Sequence, residues 1–191
     1  MMIGNCLNEF SMSIFDPKLE LLTDAELDTR AAALFGNRSG KIVDAFRRGH
    51  PNAKPVVLLE LMTNRFRLLA VQQAERKAAL GAAPAFVYLF TWESPVLDGR
   101  YRSFHCLEIP FAFYNTDVYA TMTGGGPDAR NLAGKVSDAW ISFARKGDPN
   151  HGGLPKWPAF NSDTSATMML DKKCEVKNGP DREELKALAG A

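Results

Sequence analysis

The run Phe86-Val-Tyr-Leu-Phe-Thr-Trp92 constrains this chain more than any other stretch. Side chains on a strand point alternately to its two faces, so a half-exposed strand alternates apolar and polar residues. This run is apolar in both phases and therefore belongs inside a sheet covered on both sides. A strand so placed needs ladder partners along both edges, because each buried N–H or C=O left unpaired costs roughly 1–3 kcal/mol. No other run is as plainly central, and the chain does not obviously supply the neighbours. The reading is an α/β protein with an incomplete central sheet flanked by helices.

The helices announce themselves by their ends. Thr23-Asp-Ala-Glu26 is a capping box, in which the Thr23 hydroxyl and the Glu26 carboxylate each satisfy a backbone N–H at the helix start. Leu27, Ala31, Leu34 and Phe35 follow at helical spacing, and Gly36 stops them. Lys41 to Arg48 turns Ile42, Val43 and Phe46 inward. Pro55 opens a helix marked by Val57, Leu58, Leu61 and Met62, and Thr63 or Asn64 caps the next, which carries Phe66, Leu69, Ala70 and Gln73. Pro127 opens a long helix with Leu132, Val136, Trp140 and Phe143 on its inner face, ending at Gly147. The tail reads as a hairpin (Thr167–Leu170, then Cys174–Lys177) and a short helix near Asp181–Leu188. Met1 to Ile3 reads as the start of a strand.

With 191 residues and a net charge of +1, the chain makes one domain with a sizeable core and gives no electrostatic reason to bind nucleic acid or an anionic membrane. No apolar run approaches the roughly 20 residues that span a bilayer. The first ten residues lack the basic start and long apolar core of a signal peptide, which points to the cytoplasm, although any leader would precede the portion seen here. Cys6, Cys106 and Cys174 are an odd number without C-x-x-C spacing and read as free thiols. The three histidines and three cysteines show no metal-ligand spacing, so no metal is expected.

His105 is the residue with chemical promise. It lies past the buried strand on a loop, where α/β sheets place reactive groups. An isolated loop histidine is most often simply structural. His50 and His151, each in a Pro/Gly-rich turn, read that way. Trp92, Phe104, Phe111, Phe113 and Tyr114 read first as core.

Four ordered motifs change the weight on His105. Ser103-Phe-His-Cys-Leu-Glu-Ile-Pro-Phe-Ala-Phe113 resembles the histidine motif of the type-B carboxylesterases, the carboxylesterase and cholinesterase family of α/β-hydrolases, with its A-x-H-G-x-E-I/L-P-F-V-F pattern. Met2 to Phe10 is similar to the family's acid motif: an apolar strand, a Gly, and a Glu five residues later. Leu132 to Asn150 and Gly153-Leu-Pro-Lys-Trp-Pro-Ala-Phe160 resemble its C-terminal helix and the segment after it, and Thr167, Met168 and Asp171 its following strand.

The resemblance implies a triad in the chain order Ser, Glu, His. His105 would be the general base and Glu9 the acid that holds its imidazole. Glu108 would be a supporting acid beside the histidine, and Phe104, which adjoins His105, would line a substrate site. The family has a small residue, often Gly, where this chain has Cys106, and many members have Gly where it has Phe10. No G-x-S-x-G occurs among the nine serines, and no Gly-rich oxyanion loop is present; Gly124-Gly-Gly126 falls in the wrong place. In the family both lie upstream of the acid motif. Residues 1–191 therefore read as the C-terminal portion of an α/β-hydrolase domain whose nucleophile-bearing N-terminal portion is its absent partner. The expected substrate is a small-molecule carboxylic ester, hydrolysed through an acyl-enzyme, with the chain inactive alone. The alternatives are a non-catalytic relative that uses the fold as a binding surface, and a truncated reading frame without independent function.

Overall fold

A computed structural model describes residues 1–190. Four strands, β1 (Met2–Cys6), β2 (Phe86–Phe90), β3 (Ala166–Leu170) and β4 (Glu175–Asn178), form one sheet in the order β1-β2-β3-β4. The first three run parallel, with Gly4 opposite Tyr88 and Tyr88 opposite Met168; β4 returns antiparallel to β3. The expected deficit of partners for the central strand is thus corrected. Both neighbours are in the chain, but they come from its two ends, and short five-residue strands so far apart carry no local sign that they will pair. Among the described residues β1 is hydrogen-bonded along one side only.

All five residues of β2 are buried. Phe86, Tyr88 and Phe90 pack on one face with Met168 and Leu170, under Leu132, Val136 and Ala139 of α7 (Gly126–Lys146) and Phe111 of α5 (Glu108–Ala112). On the other face Val87 packs against Val71 and Ala74 of α4 (Arg65–Ala79). The apolar reading of both strand phases follows from these two covers.

A second helical cluster lies beside the sheet. It joins α1 (Asp24–Phe35), α2 (Ser39–Gly49), α3 (Pro55–Thr63) and α8 (Arg182–Ala189) around Leu27, Ile42, Phe46, Leu58 and Met62. The Thr23 capping box is complete, with the Thr23 hydroxyl accepting from the Glu26 N–H and Glu26 accepting from the Thr23 N–H. The remaining helix, α6 (Ala120–Thr123), is a single turn.

Some expected core positions are exposed. Leu34, Leu69, Phe113 and Tyr114 lie at the surface, at 56%, 56%, 75% and 60% exposure. Helical spacing places a residue on a face, but α1 and α4 bury only a narrow stripe each, Leu27 with Ala31 and Arg67 with Ala70, Val71 and Ala74. Phe113 and Tyr114 lie just beyond α5, where the chain turns outward with Tyr114 at φ +53°. No described helix is long and apolar enough to cross a membrane.

Gly4 marks the tightest approach between strands. A Cβ there would sit 2.5 Å from the Tyr88 carbonyl oxygen and against the Tyr88 ring. Overpacking of this kind costs about 1–3 kcal/mol. Gly4→Ala is expected to lower stability by that amount in urea or thermal unfolding, with β1 amides losing hydrogen-exchange protection first.

Candidate active site

β1 and β2 run parallel, so the loops leaving their C-terminal ends emerge side by side. The β1 loop carries Glu9 and the β2 loop carries His105. Their backbones are joined by the Asn8 N–H to the Ser103 carbonyl at 2.9 Å, and the Ser11 hydroxyl reaches the Tyr101 carbonyl at 2.8 Å. The Ser103 hydroxyl donates to the Phe90 carbonyl at 2.7 Å, pinning the residue two before His105 to the strand end.

Within that frame Glu9 Oε2 lies 2.5 Å from His105 Nδ1, although 96 positions separate them in sequence. The other oxygen, Oε1, accepts the Cys6 N–H at 2.8 Å, so the acid is fixed at the end of its own strand. Glu9 is buried, whereas the His105 side chain is 63% exposed. A carboxylate can only accept, so Nδ1 carries the proton and Nε2 is left as the basic nitrogen facing outward. That tautomer is the one a general base requires.

Glu108 takes a different place from its sequence neighbour. It lies at the start of α5 and accepts a hydrogen bond from the Cys6 thiol at 2.8 Å. Burial, reinforced by the Glu108 charge, pushes the Cys6 thiol well above its usual range, so it stays a protonated donor. Burial likewise raises Tyr88, which faces the same carboxylate.

Phe104 and Phe10 line an open, mainly apolar cleft of about 710 Å³ beside His105, together with Met12, Ile14 and Phe15. Phe10 does not close this cleft. Its ring stacks on Phe66 at 5.8 Å, and Phe66 stacks in turn on the His105 imidazole at 6.2 Å and 15°. Phe66, expected on the apolar face of α4, is instead half exposed and stacks beside the imidazole. Ser11 lines the same cleft, but its hydroxyl is held by the carbonyls of Asn8 and Tyr101. His151 is structural, its ring bonded to the Lys135 carbonyl and the Gly153 N–H. Among the described residues no group of three or more His, Cys, Asp or Glu is placed to hold a metal ion.

Sequence reasoning passed over a buried charge network beneath the two loops. Glu60, on α3 and fully buried, accepts the Met12 N–H at 2.9 Å and meets Asn8 Nδ2, Ser13 Oγ and Arg102 Nη1 at 3.3–3.4 Å. Arg102 also pairs with Glu20 and donates to Ser13 Oγ at 2.8 Å. Burial raises Glu60 to a pKa of about 7, with Arg102 and the hydrogen bonds opposing it. Burial also disfavours the charge on Glu20, but there hydrogen bonds from Ser13, Lys54 and Arg102 win and hold it at about 2. The one available signal was a lone Glu inside Val56-Val-Leu-Leu-Glu-Leu-Met62.

The backbone around the site is strained. Leu97, Asp98, Arg102 and Cys106 all have positive φ, 53°, 55°, 49° and 67°. Cys106 thus occupies a conformation that favours glycine, which accounts for the glycine that the resemblance led one to expect there.

The sheet order, the helices on both faces and an acid–histidine pair at the strand ends define an α/β-hydrolase architecture. The sequence profile of the carboxylesterase family matches residues 35–188, and the chain belongs to that family. It is 28% identical to the para-nitrobenzyl esterase of Bacillus subtilis over 98% of its own length and 37% of that protein's. It is 28% identical to the phenmedipham hydrolase of Pseudarthrobacter oxydans over 85% of its length and 34% of that protein's. The crystal structure of the carboxylesterase EST55 of Geobacillus stearothermophilus superposes with a TM-score of 0.78 at 30% identity, covering 98% of this chain and 40% of that one. The chain therefore spans little more than a third of the length of these two curated relatives.

Two outcomes follow from the site's physics. A β-carbon at left-handed φ costs about 1–2 kcal/mol, part of which glycine returns in unfolded-chain entropy, so Cys106→Gly should stabilise the chain by about 0.5–1 kcal/mol in thermal unfolding. Glu60 has a folded pKa raised above its ordinary 4.5, so its contribution to stability is full below about pH 4.5 and is lost as pH rises through about 7. The melting temperature of the wild type relative to Glu60→Gln should accordingly fall between pH 5 and pH 8, by an amount equivalent to about 2–3 kcal/mol at most.

Proposed function

We propose that this chain supplies the acid and the base of a serine carboxylesterase triad, Glu9 and His105, to a nucleophilic serine that lies outside these 191 residues. The observation that carries the reading is the Glu9–His105 contact, made by a buried carboxylate at one strand end and an accessible imidazole at the next. In the mechanism His105 Nε2 takes the proton of the serine hydroxyl as its oxygen attacks the ester carbonyl. The tetrahedral adduct collapses, Nε2 returns the proton to the departing alcohol, and an acyl-enzyme remains. Water activated by the same nitrogen then releases the acid. Glu9 keeps Nδ1 protonated and balances the imidazolium each time it forms.

No serine of the chain stands in a G-x-S-x-G setting, and no Gly-rich loop offers an oxyanion hole. The partner is accordingly the nucleophile-bearing portion of the same domain. The unpaired side of β1 and the exposed Phe15, Phe113 and Val118 are where a sheet and core of larger extent would continue. The substrate is a small carboxylic ester whose apolar part enters the cleft lined by Phe10, Met12, Phe15 and Phe104. The binding of ester needs no cofactor.

The purified chain should show no turnover of a p-nitrophenyl ester that His105→Ala abolishes. Mixed or co-expressed with the serine-bearing portion of a carboxylesterase, it should restore hydrolysis. That activity should fall by about 10⁴-fold or more in both His105→Ala and Glu9→Ala, as for other triads acting as a unit. His105-dependent turnover by the chain alone would refute the reading, as would complementation indifferent to either substitution.

A further inference from the structure

We propose that Glu60, acting through Arg102, is a positioning residue that holds the Glu9 loop and the His105 loop in register; the inference rests on the acid–base role given to that pair above. The Glu9 loop, which runs from β1 to α1, has little regular structure of its own, only 3-10 turns at Met12–Ile14 and Pro17–Leu21. Beyond its ties to the Ser103 and Tyr101 carbonyls, one carboxylate gathers it. Asn8, Met12 and Ser13, which bracket Glu9, all close on Glu60. Arg102, three residues before His105, closes on the same carboxylate from the other loop and bonds Ser13 as well. Glu60 is therefore the point at which α3 grips both halves of the pair.

Two features set this apart from ordinary core polarity. Glu60 is 0% exposed on a helix whose Val56, Leu58, Leu59, Leu61 and Met62 are all buried and apolar. A buried ion pair stabilises no more than apolar residues of similar volume, and often less, so stability alone does not favour a charge here. Arg102 moreover reaches Glu60 from a left-handed backbone at φ +49°, a further cost that the fold carries in order to point the guanidinium inward. Both costs are concentrated where a displacement of about 1 Å between acid and base is worth orders of magnitude in rate.

The test uses the 191-residue chain and needs no turnover. A histidine bonded through Nδ1–H to a carboxylate gives a strongly downfield proton resonance, assigned here by its loss in His105→Gln. Its exchange rate with solvent reports how firmly Glu9 and His105 are held. Glu60→Met should speed that exchange by about tenfold or more, corresponding to about 1.4 kcal/mol. Glu60→Gln, which keeps the shape and an acceptor oxygen, should stay within about twofold of wild type on the same scale. The double variant Glu60→Met/Arg102→Met, in which Glu20 keeps Lys54 as its ion partner, should exchange as fast as Glu60→Met. A double variant that folds and exchanges as slowly as wild type would show that the network is structural only and overturn the proposal. If the methionine variants do not fold, Ser13→Ala decides: exchange should rise several-fold, against no change in Ser142→Ala, whose hydroxyl bonds the remote Asn150 carbonyl. Equal behaviour of the two serine variants would overturn the proposal. A wild-type spectrum lacking the downfield proton would overturn the acid–base reading itself, whereas a wild-type resonance that no variant moves would overturn only the role of Glu60.

Discussion

Strand β2 sets the terms for everything else. Five consecutive buried residues cannot leave their peptide groups unpaired, and the partners that satisfy them are β1 on one side and β3 on the other. Because all three run the same way, their C-terminal ends face one rim of the sheet. The connections that leave β1 and β2 there must start within one strand spacing of each other, and Glu9 and His105 stand on them. The juxtaposition of Glu9 and His105 is thus a by-product of how a buried strand satisfies its own backbone.

The rim is not left to the sheet alone. A cation, Arg102, sits between two carboxylates that titrate in opposite directions, Glu20 held low and Glu60 held high. Glu20 pairs with both the guanidinium and Lys54, and Glu60 gathers hydrogen bonds from Asn8, Met12, Ser13 and Arg102. The cluster of positive φ values between Leu97 and Cys106 is the conformational counterpart of this arrangement: the loop is bent inward at Arg102 and turned again at Cys106, immediately after the histidine. Phe66 stacks beside the imidazole, whose side chain stays largely exposed.

What the sequence conveyed was whatever leaves a local mark. The capping box at Thr23, the proline starts of α3 and α7, the doubly apolar β2 and the tail hairpin are patterns within a few residues, and each is found where expected. The pairing of Met2–Cys6 with Phe86–Phe90 is a long-range fact with no local trace, and the central strand looked orphaned for that reason. Glu9 and His105 were singled out together by motif order, and their contact needed the fold. Glu60, Arg102 and Phe66 escaped because a charge within an apolar helix, a loop arginine and a helical phenylalanine each have commoner, unremarkable explanations. Their meaning lies in their neighbours.

The ladder also has a kinetic side. Its parallel pairs join the two ends of the chain to its middle, and Glu9 and His105 stand 96 positions apart. Such pairings close large loops, whose entropy must be met before any contact across them gives a return. Until it docks, β2 lacks one ladder and Glu9 has no fixed place. Because Glu9 is held at the end of β1, the Glu9–His105 contact reports whether that strand is docked.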